Sequence, residues 1–199
     1  MSSIAENRGS VAVAAGQPSV AMTLLRSGGI VLAGTMLVAV CAHVAIPLWF
    51  TPVPVTLQPF AVILLGLLLS PRTAFATMVA YLAEGAAGLP VFTPHGLGGV
   101  AQLLGPTGGY LLSYPIVAPL VSMLWRRSSR TFTRGLIVAG AGSLVTLAMG
   151  ALWLGIARQL SPMTVLNMTV LPFLPGDVLK VVSAAGIAAG AARFRKQNS

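Results

Sequence analysis

Charged residues are scarce in this sequence, and acidic residues are the scarcest of all. Only 8% of the 199 residues are Asp, Glu, Lys or Arg, whereas a typical soluble domain has about 25%. The three acids are Glu6, Glu84 and Asp177. Together with a mean hydropathy of +0.88, this shortage excludes an ordinary soluble domain and indicates an integral membrane protein.

Other absences exclude further classes of protein. The single cysteine, Cys41, lies in an apolar stretch and cannot form an internal disulfide. The sequence contains no GxxxxGK[ST] loop, so the chain does not bind ATP in that way. The net charge is +9, but the basic residues form short clusters between apolar stretches, without a nucleic-acid-binding motif. We therefore expect a lipid bilayer around the chain, and no nucleic acid, metal or cofactor.

The sequence consists mainly of apolar stretches separated by Pro, Gly and basic residues. A spanning helix needs about 20 apolar residues, although helices that line a pocket can be shorter. The pattern predicts an all-α integral membrane protein with six transmembrane helices, at residues 30–48, 55–69, 73–89, 109–125, 135–157 and 178–192. Five helices is the competing count, because only a short turn separates the second stretch from the third.

The basic residues distinguish between the two counts. With six helices and the N-terminus inside, all of the 12 Lys and Arg residues lie inside except Arg158 and Lys180. Five helices would instead place the RRSSR cluster and the basic C-terminus on the opposite side of the membrane from Arg8 and Arg26. The charge pattern therefore predicts a multi-pass protein of a bacterial-type cell membrane with both termini in the cytoplasm.

Three segments follow from this topology. Residues 1–27 are predicted to be a disordered cytoplasmic tail, residues 28–192 the six-helix membrane domain, and residues 193–199 a basic cytoplasmic tail. The connections 89–110 and 160–177 are long, rich in Pro and Gly, and placed outside. Long outer loops above a helix bundle predict a covered pocket that opens to the outside.

Three ionisable residues are predicted at the outer ends of helices. Glu84 lies near the end of the third helix, and Asp177 and Lys180 begin the sixth, three residues apart and therefore on one face. A charged group at bilayer depth costs roughly 2.5–3.5 kcal/mol, so such groups are candidates for a functional site. The alternative is that Asp177 only caps the helix while Lys180 extends to the membrane surface.

Four motifs occur in the order TPVPVTLQPF, GLPVF, GPTGGYLLSYP and PFLPGDVLK. Together they resemble the BioY family, the biotin-specific substrate-binding subunits (S components) of energy-coupling factor transporters, over about residues 28–192. The resemblance implies the S-component fold and capture of biotin at the extracytoplasmic face. It also implies partnership with a transmembrane coupling subunit (T component) and two ATP-binding cassette ATPases, which drive uptake, and no enzymatic activity.

The motifs also suggest ligand contacts, with biotin as the transported ligand rather than a cofactor. Asp177 and Lys180 are the first candidates, because a carboxylate accepts from the ureido N–H groups and an ammonium donates to the ureido or valerate oxygens. Gly108 and Gly109 are expected to bring backbone close to the ligand, unless they only form the turn into the helix. Tyr110 is expected to add an aromatic wall.

The remaining site candidates have more open roles. The resemblance leads us to expect an asparagine near His95, so His95 either replaces that contact or faces solvent. Gln58 either caps the second helix, which we favour, or contacts the ligand. Gln102 and Glu84 complete the set of candidate substrate-binding residues. The prolines of the first outer loop are expected to hold it extended over the pocket.

Small residues on the first helix predict a docking surface for the coupling subunit, because such faces let helices approach closely. They are Gly29, Ala33, Thr35 and Ala39. S components often carry an Ala-xxx-Ala pattern there, and Gly and Thr replace two of the alanines. The alternative functions are a stand-alone transporter, an S component for another vitamin, and an intramembrane protease using Ser143 and His43, although a GxSG-type motif is absent.

Overall fold

The structure is a computed structural model that describes residues 20–198. Eight helices and one short hairpin make up this part of the chain. In order, they are α1 (Val20–His43), β1 (Ala45–Ile46), β2 (Val55–Thr56), α2 (Gln58–Leu68), α3 (Pro71–Ala86), α4 (Gly99–Leu104), α5 (Gly108–Arg126), α6 (Phe132–Arg158), α7 (Pro162–Thr169) and α8 (Leu174–Gln197).

The six longer helices coincide with the six predicted apolar stretches, so the all-α fold class is confirmed. Four of them, α1 from Leu25 onward, α5, α6 and α8, are long and apolar enough to cross a membrane. Helix α2 is apolar but has only 11 residues, fewer than a span needs. The count of six spans therefore stays a prediction.

The turn between α2 and α3 is short because the sequence signals both ends. Ser70 precedes α3, and its hydroxyl accepts a hydrogen bond from the backbone N–H of Thr73. Pro71 occupies the first turn of α3, and Pro59 likewise occupies the first turn of α2, where the missing N–H of proline costs little. This turn keeps the two helices separate.

The first helix ends earlier than predicted. It stops at His43, because the chain then enters an antiparallel hairpin in which Ala45 pairs with Thr56 and Ile46 with Val55. Pro47 follows this point, and proline removes the backbone donor that a continuing helix needs. The first outer loop is thus a hairpin whose tip contains the prolines.

The predicted tails and the helices overlap. Helix α1 begins at Val20, ahead of the predicted domain boundary at residue 28, and α8 continues through the predicted basic tail to Gln197. Residues 1–19, for which disorder was predicted, lie outside the described residues.

The long outer connections contain two short helices that the sequence analysis treated as loop. Helix α4 begins at Gly99 after its N-cap residue Gly98, and the φ angles of Gly98 and Gly99, 68° and 54°, favour glycine. Helix α7 follows Ser161, whose hydroxyl accepts from the N–H of Thr164. Both segments lie at the end of the bundle that is predicted to face outside, which we call the outer end.

Helix α5 is central, and it packs against α2, α3 and α6. Its buried face includes Tyr114, Val117 and Val121, each 2% exposed or less. Gly142 of α6 approaches Val121 so closely that a β-carbon there would lie 2.6 Å from its methyl group. Gly142 therefore lets α6 pack closely against α5.

Large apolar side chains cover the sides of the bundle that face away from its core. Leu32 and Met36 on α1 and Leu144 on α6 are each more than 60% exposed. A soluble protein rarely exposes such continuous apolar faces. The surface is therefore suited to contact with lipid.

Candidate functional site

A cavity of about 40 Å³ lies at the outer end of the bundle, beneath the hairpin. The polar side chains that line it are Thr56, Gln58, Thr93, Gln102, Thr107, Thr146, Asp177 and Lys180. Its aromatic walls are Phe92, Tyr110, Tyr114 and Phe173. Helices α2, α4, α5, α6 and α8, the hairpin and the loop after α3 all contribute, so distant parts of the sequence converge on one space.

Asp177 and Lys180 form an ion pair at this cavity, as their spacing predicts. The Lys180 Nζ lies 2.9 Å from the Asp177 Oδ1, and the two side chains are only 6% and 10% exposed, respectively. The hydroxyl of Ser143 on α6 donates to the other oxygen, Asp177 Oδ2, at 2.9 Å. The pair therefore joins α8 to α6.

The alternative role of Asp177 as a helix cap is wrong. Phe173 is the N-cap residue of α8, no side chain caps this helix, and Asp177 lies four residues inside it. The carboxylate instead satisfies the buried ammonium. Because a carboxylate has about four acceptor sites and an ammonium has three donors, these contacts leave capacity for a ligand on both groups.

Gln58 connects the cavity to α3 rather than capping α2. Its Nε2 donates to the hydroxyl of Tyr81 at 2.6 Å, and that hydroxyl donates to the carbonyl of Val91 at 2.9 Å. The N-cap of α2 is Leu57, without a side-chain cap, and the Gln58 N–H donates to Thr56 Oγ1. The favoured capping role of Gln58 is therefore wrong.

Gln102 is also buried at the cavity, and it holds the second outer loop in place. Its Oε1 accepts from the backbone N–H of Leu97 at 2.6 Å, and its Nε2 donates to Thr107 Oγ1 at 2.7 Å. Both polar atoms of its amide group therefore have hydrogen-bond partners.

Tyr110 forms the predicted aromatic wall. Its hydroxyl donates to the carbonyl of Thr169 at 2.9 Å, which ties α5 to the end of α7. Gly108 and Gly109 do not line the cavity in this structure. A β-carbon at Gly109 would collide with Trp153 of α6, and one at Gly108 would collide with the carbonyl oxygen of Leu103 on α4. These glycines therefore let α5 pack closely against α6 and α4.

Two candidates lie away from the cavity. His95 is exposed and lines a separate outer hollow of about 260 Å³, together with Pro52 and Arg158. Glu84 is partly buried near the end of α3, and it belongs to the lining of neither hollow as the structure describes them. The structure thus separates these two residues from the other candidates.

Sequence reasoning missed Thr93 and the two phenylalanines of the cavity, Phe92 and Phe173. Both phenylalanines stand inside quoted motifs, GLPVF and PFLPGD, which was the available signal. Thr93 is 8% exposed, and its hydroxyl has no hydrogen-bond partner within the described residues. An unpaired buried hydroxyl is uncommon in folded proteins, and here it lines the cavity.

The arrangement opposes a protease site. Ser143 donates to Asp177, and His43 bonds the carbonyl of Ala39 in its own helix through Nδ1 at 2.8 Å. The serine and histidine that the alternative requires therefore have other partners.

Comparison with known proteins is consistent with this geometry. A family model described as the BioY family matches residues 14–197. This chain belongs to the BioY family. The family consists of transport proteins rather than enzymes, so the chain is a multi-pass membrane protein with a transport function.

Individual relatives agree with the family assignment. The "Probable biotin transporter BioY" of Pyrococcus horikoshii is 41% identical over 137 residues, which are 69% of this chain and 79% of that protein. "Biotin transporter BioY2" of Lactococcus lactis is 34% identical over 160 residues, covering 80% of this chain and 86% of that protein.

A solved structure confirms the fold. It is a crystal structure of the S-component for biotin from an ECF-type ABC transporter, with a TM-score of 0.77 and 29% identity. The match covers 87% of this chain and 93% of that chain. This BioY chain therefore has the S-component fold.

Proposed function

We propose that this chain captures biotin in the cavity at its outer end and delivers it for ATP-driven uptake. The observation that carries the proposal is the buried Asp177–Lys180 pair, which lines the cavity and retains free donor and acceptor sites. The unpaired hydroxyl of Thr93 lines the same space. The names of the relatives identify biotin as the ligand to test first.

Biotin has a polar and an apolar part, and the cavity has polar and apolar walls that suit them. Its ureido group offers two N–H donors to the carboxylate of Asp177 and a carbonyl to a donor such as Lys180 or Thr93. Its sulfur-containing ring and methylene chain are apolar and suit walls formed by Phe92 and Tyr110. Each polar contact to a charged group contributes roughly 1.5–3 kcal/mol.

Biotin does not fit unless the walls move. The cavity measures about 40 Å³, whereas small-molecule pockets usually span roughly 300–1,000 Å³. The larger outer hollow shares Pro54, Thr93, Gln102 and Thr107 with the cavity. Displacement of this shared wall would join the two spaces and open a path from outside.

The proposed orientation puts the cavity outside and both termini in the cytoplasm. The distribution of basic residues supports it. Cysteines that replace His95 and Arg130, in a Cys41→Ser background, should react with a membrane-impermeant reagent from opposite sides. Reaction of both from the same side of intact cells would contradict the orientation.

The proposed partners are a T component and two ATP-binding cassette ATPases. The predicted docking surface needs one correction, because Thr35 is buried inside the bundle at 3% exposure. Gly29 and Ala33 remain exposed on α1. We expect Ala33→Phe to weaken assembly with the coupling subunit but not biotin binding. The control is Leu144→Phe, which makes a similar change at an exposed position of α6. If assembly survives the Ala33 change, the docking surface lies elsewhere.

The central experiment is calorimetric titration of the purified chain with biotin. Thiamine and riboflavin serve as competing vitamins, and mass spectrometry identifies any small molecule that co-purifies. Saturable binding of biotin and none of the other two vitamins would support the proposal. Binding of another vitamin in preference to biotin would overturn it. Uptake by proteoliposomes that contain this chain alone would identify the stand-alone alternative.

A further inference from the structure

A second hollow lies at the opposite end of the bundle from the cavity, and it is basic. It measures about 90 Å³ and is bordered by the C-terminal ends of α2, α5 and α8. Arg126, Arg130 and Arg195 line it. The volume is several times the roughly 10–15 Å³ that one water molecule needs, so a larger polar group has room there.

The positive charges of Arg126 and Arg130 are not balanced by the acids of the described residues. The two carboxylates among them, Glu84 and Asp177, lie near the outer ends of α3 and α8, and Asp177 is paired with Lys180. Neither Arg126 nor Arg130 forms an ion pair within the described part of the chain. Guanidinium groups gathered around one hollow favour a bound anion.

The backbone at Arg130 gives an independent indication. Its φ angle of 52° lies in the left-handed region, which glycine adopts without strain and other residues rarely adopt. A glycine would suit the turn between α5 and α6 better. An arginine at such a position suggests a use for its side chain rather than for its backbone.

The remaining walls are apolar. Leu67, Leu68, Trp125, Ala188 and Ala191 line the floor and sides. Tryptophan is enriched at the level of lipid headgroups, which fits a hollow at the end of the bundle. A basic rim with an apolar floor matches a phosphate group attached to glycerol and acyl chains.

We propose that this hollow binds the phosphate group of an anionic phospholipid. The guanidinium groups hold the phosphate by charge-assisted hydrogen bonds, and the glycerol and upper acyl chains cover the apolar floor. The site is separate from the biotin cavity and does not depend on the proposed function. A free phosphate has the same charge chemistry, and an acidic segment of a protein partner is the competing occupant.

Native mass spectrometry of the full chain in dodecyl maltoside tests the site. The delipidated protein is titrated with dioleoyl-phosphatidylglycerol, dioleoyl-phosphatidylcholine or inorganic phosphate. The lining variant carries Gln at Arg126, Arg130 and Arg195. The control variant loses the same charge at the same end of the bundle but outside the hollow, with Gln at Arg127, Arg134 and Arg193.

We expect one phosphatidylglycerol to bind the wild-type chain in preference to phosphatidylcholine. Each lost guanidinium contact should weaken this binding about tenfold. The lining variant should therefore lose at least ten times more affinity than the control variant. If inorganic phosphate displaces the lipid and its binding is lost in the same variant, the site is supported and its ligand is a soluble phosphate.

Three results would overturn the proposal. The first is equal binding of the two lipids by the wild-type chain, and the second is an equal loss of affinity in the lining and control variants. The third is a lining variant that still binds phosphatidylglycerol but no longer assembles with the coupling subunit. The last would assign the hollow to a protein partner. If the triple lining variant does not fold, the proposal is tested by the single variant Arg130→Gln and by the preference of the wild-type chain for one of the two lipids.

Discussion

Replacing the two members of the buried ion pair, singly and together, separates ligand binding from structural support. Asp177→Asn leaves the ammonium of Lys180 buried beside a neutral amide. Lys180→Met leaves the carboxylate with only the hydroxyl of Ser143. The double variant Asp177→Asn/Lys180→Met removes both charges while roughly keeping the volume of both side chains.

The expected stabilities follow from the burial of the pair, whose side chains are 6% and 10% exposed. Removing one partner of a buried pair costs about 3–5 kcal/mol, because the other charge stays uncompensated. At roughly 2–4 °C per kcal/mol for a chain of this size, each single variant should lose roughly 6–20 °C in Tm. The double variant should recover most of this loss, since replacing the whole pair is often neutral or stabilising.

Binding should follow a different order. Each single variant should bind biotin about ten- to a hundredfold more weakly, because a hydrogen bond to a charged group contributes roughly 1.5–3 kcal/mol. The double variant should bind at least as weakly as either single variant despite its recovered stability. Calorimetric Kd values and detergent-solution Tm values for all four proteins give the comparison. A stable double variant with wild-type affinity would refute the ligand role of the pair.

Two further changes test other parts of the cavity. Gly150→Ala places a methyl group against the ring of Tyr110 and should lower Tm by roughly 2–12 °C and weaken biotin binding. Gly140→Ala on the same helix meets nothing within 4 Å and should lower neither quantity, so equal effects of the two changes would contradict the packing argument. Tyr81→Phe leaves the buried amide of Gln58 without its acceptor and should cost about 1–3 kcal/mol in stability; unchanged Tm and Kd would exclude this support of the cavity wall.

The fold was predictable because its signals are local. Apolar stretches, a serine before Pro71 and the clustered basic residues each act within a few positions of the sequence. The i, i+3 spacing likewise predicted the pairing of Asp177 with Lys180. The short helix α7 was missed although Ser161 and Pro162 repeat the Ser-Pro start that Ser70 and Pro71 give to α3.

The rest of the site depends on contacts between distant parts of the chain. The partner of Gln58 is Tyr81, 23 residues away, and the partner of Asp177 on α6 is Ser143, 34 residues away. Spacing along one helix cannot indicate such pairs. The packing role of Gly108 and Gly109 was not predicted for the same reason, because the residues that approach them, Leu103 and Trp153, lie on other helices.

The size of the cavity bears on which step of transport needs energy. Moving the loop around α4 away from α5 breaks the hydrogen bond of Gln102 to Thr107, which contributes about 0.5–1.5 kcal/mol net. Moving the hairpin exposes the buried side chain of Val53, at roughly 1.5–3 kcal/mol. Each of these contacts is therefore worth about 3 kcal/mol or less, and states a few kcal/mol above the ground state have populations of roughly 0.1–10%. If these contacts are the main barrier, the proposed ligand would enter by thermal opening, and energy from the proposed ATPase partners would be used for its release on the other side of the membrane.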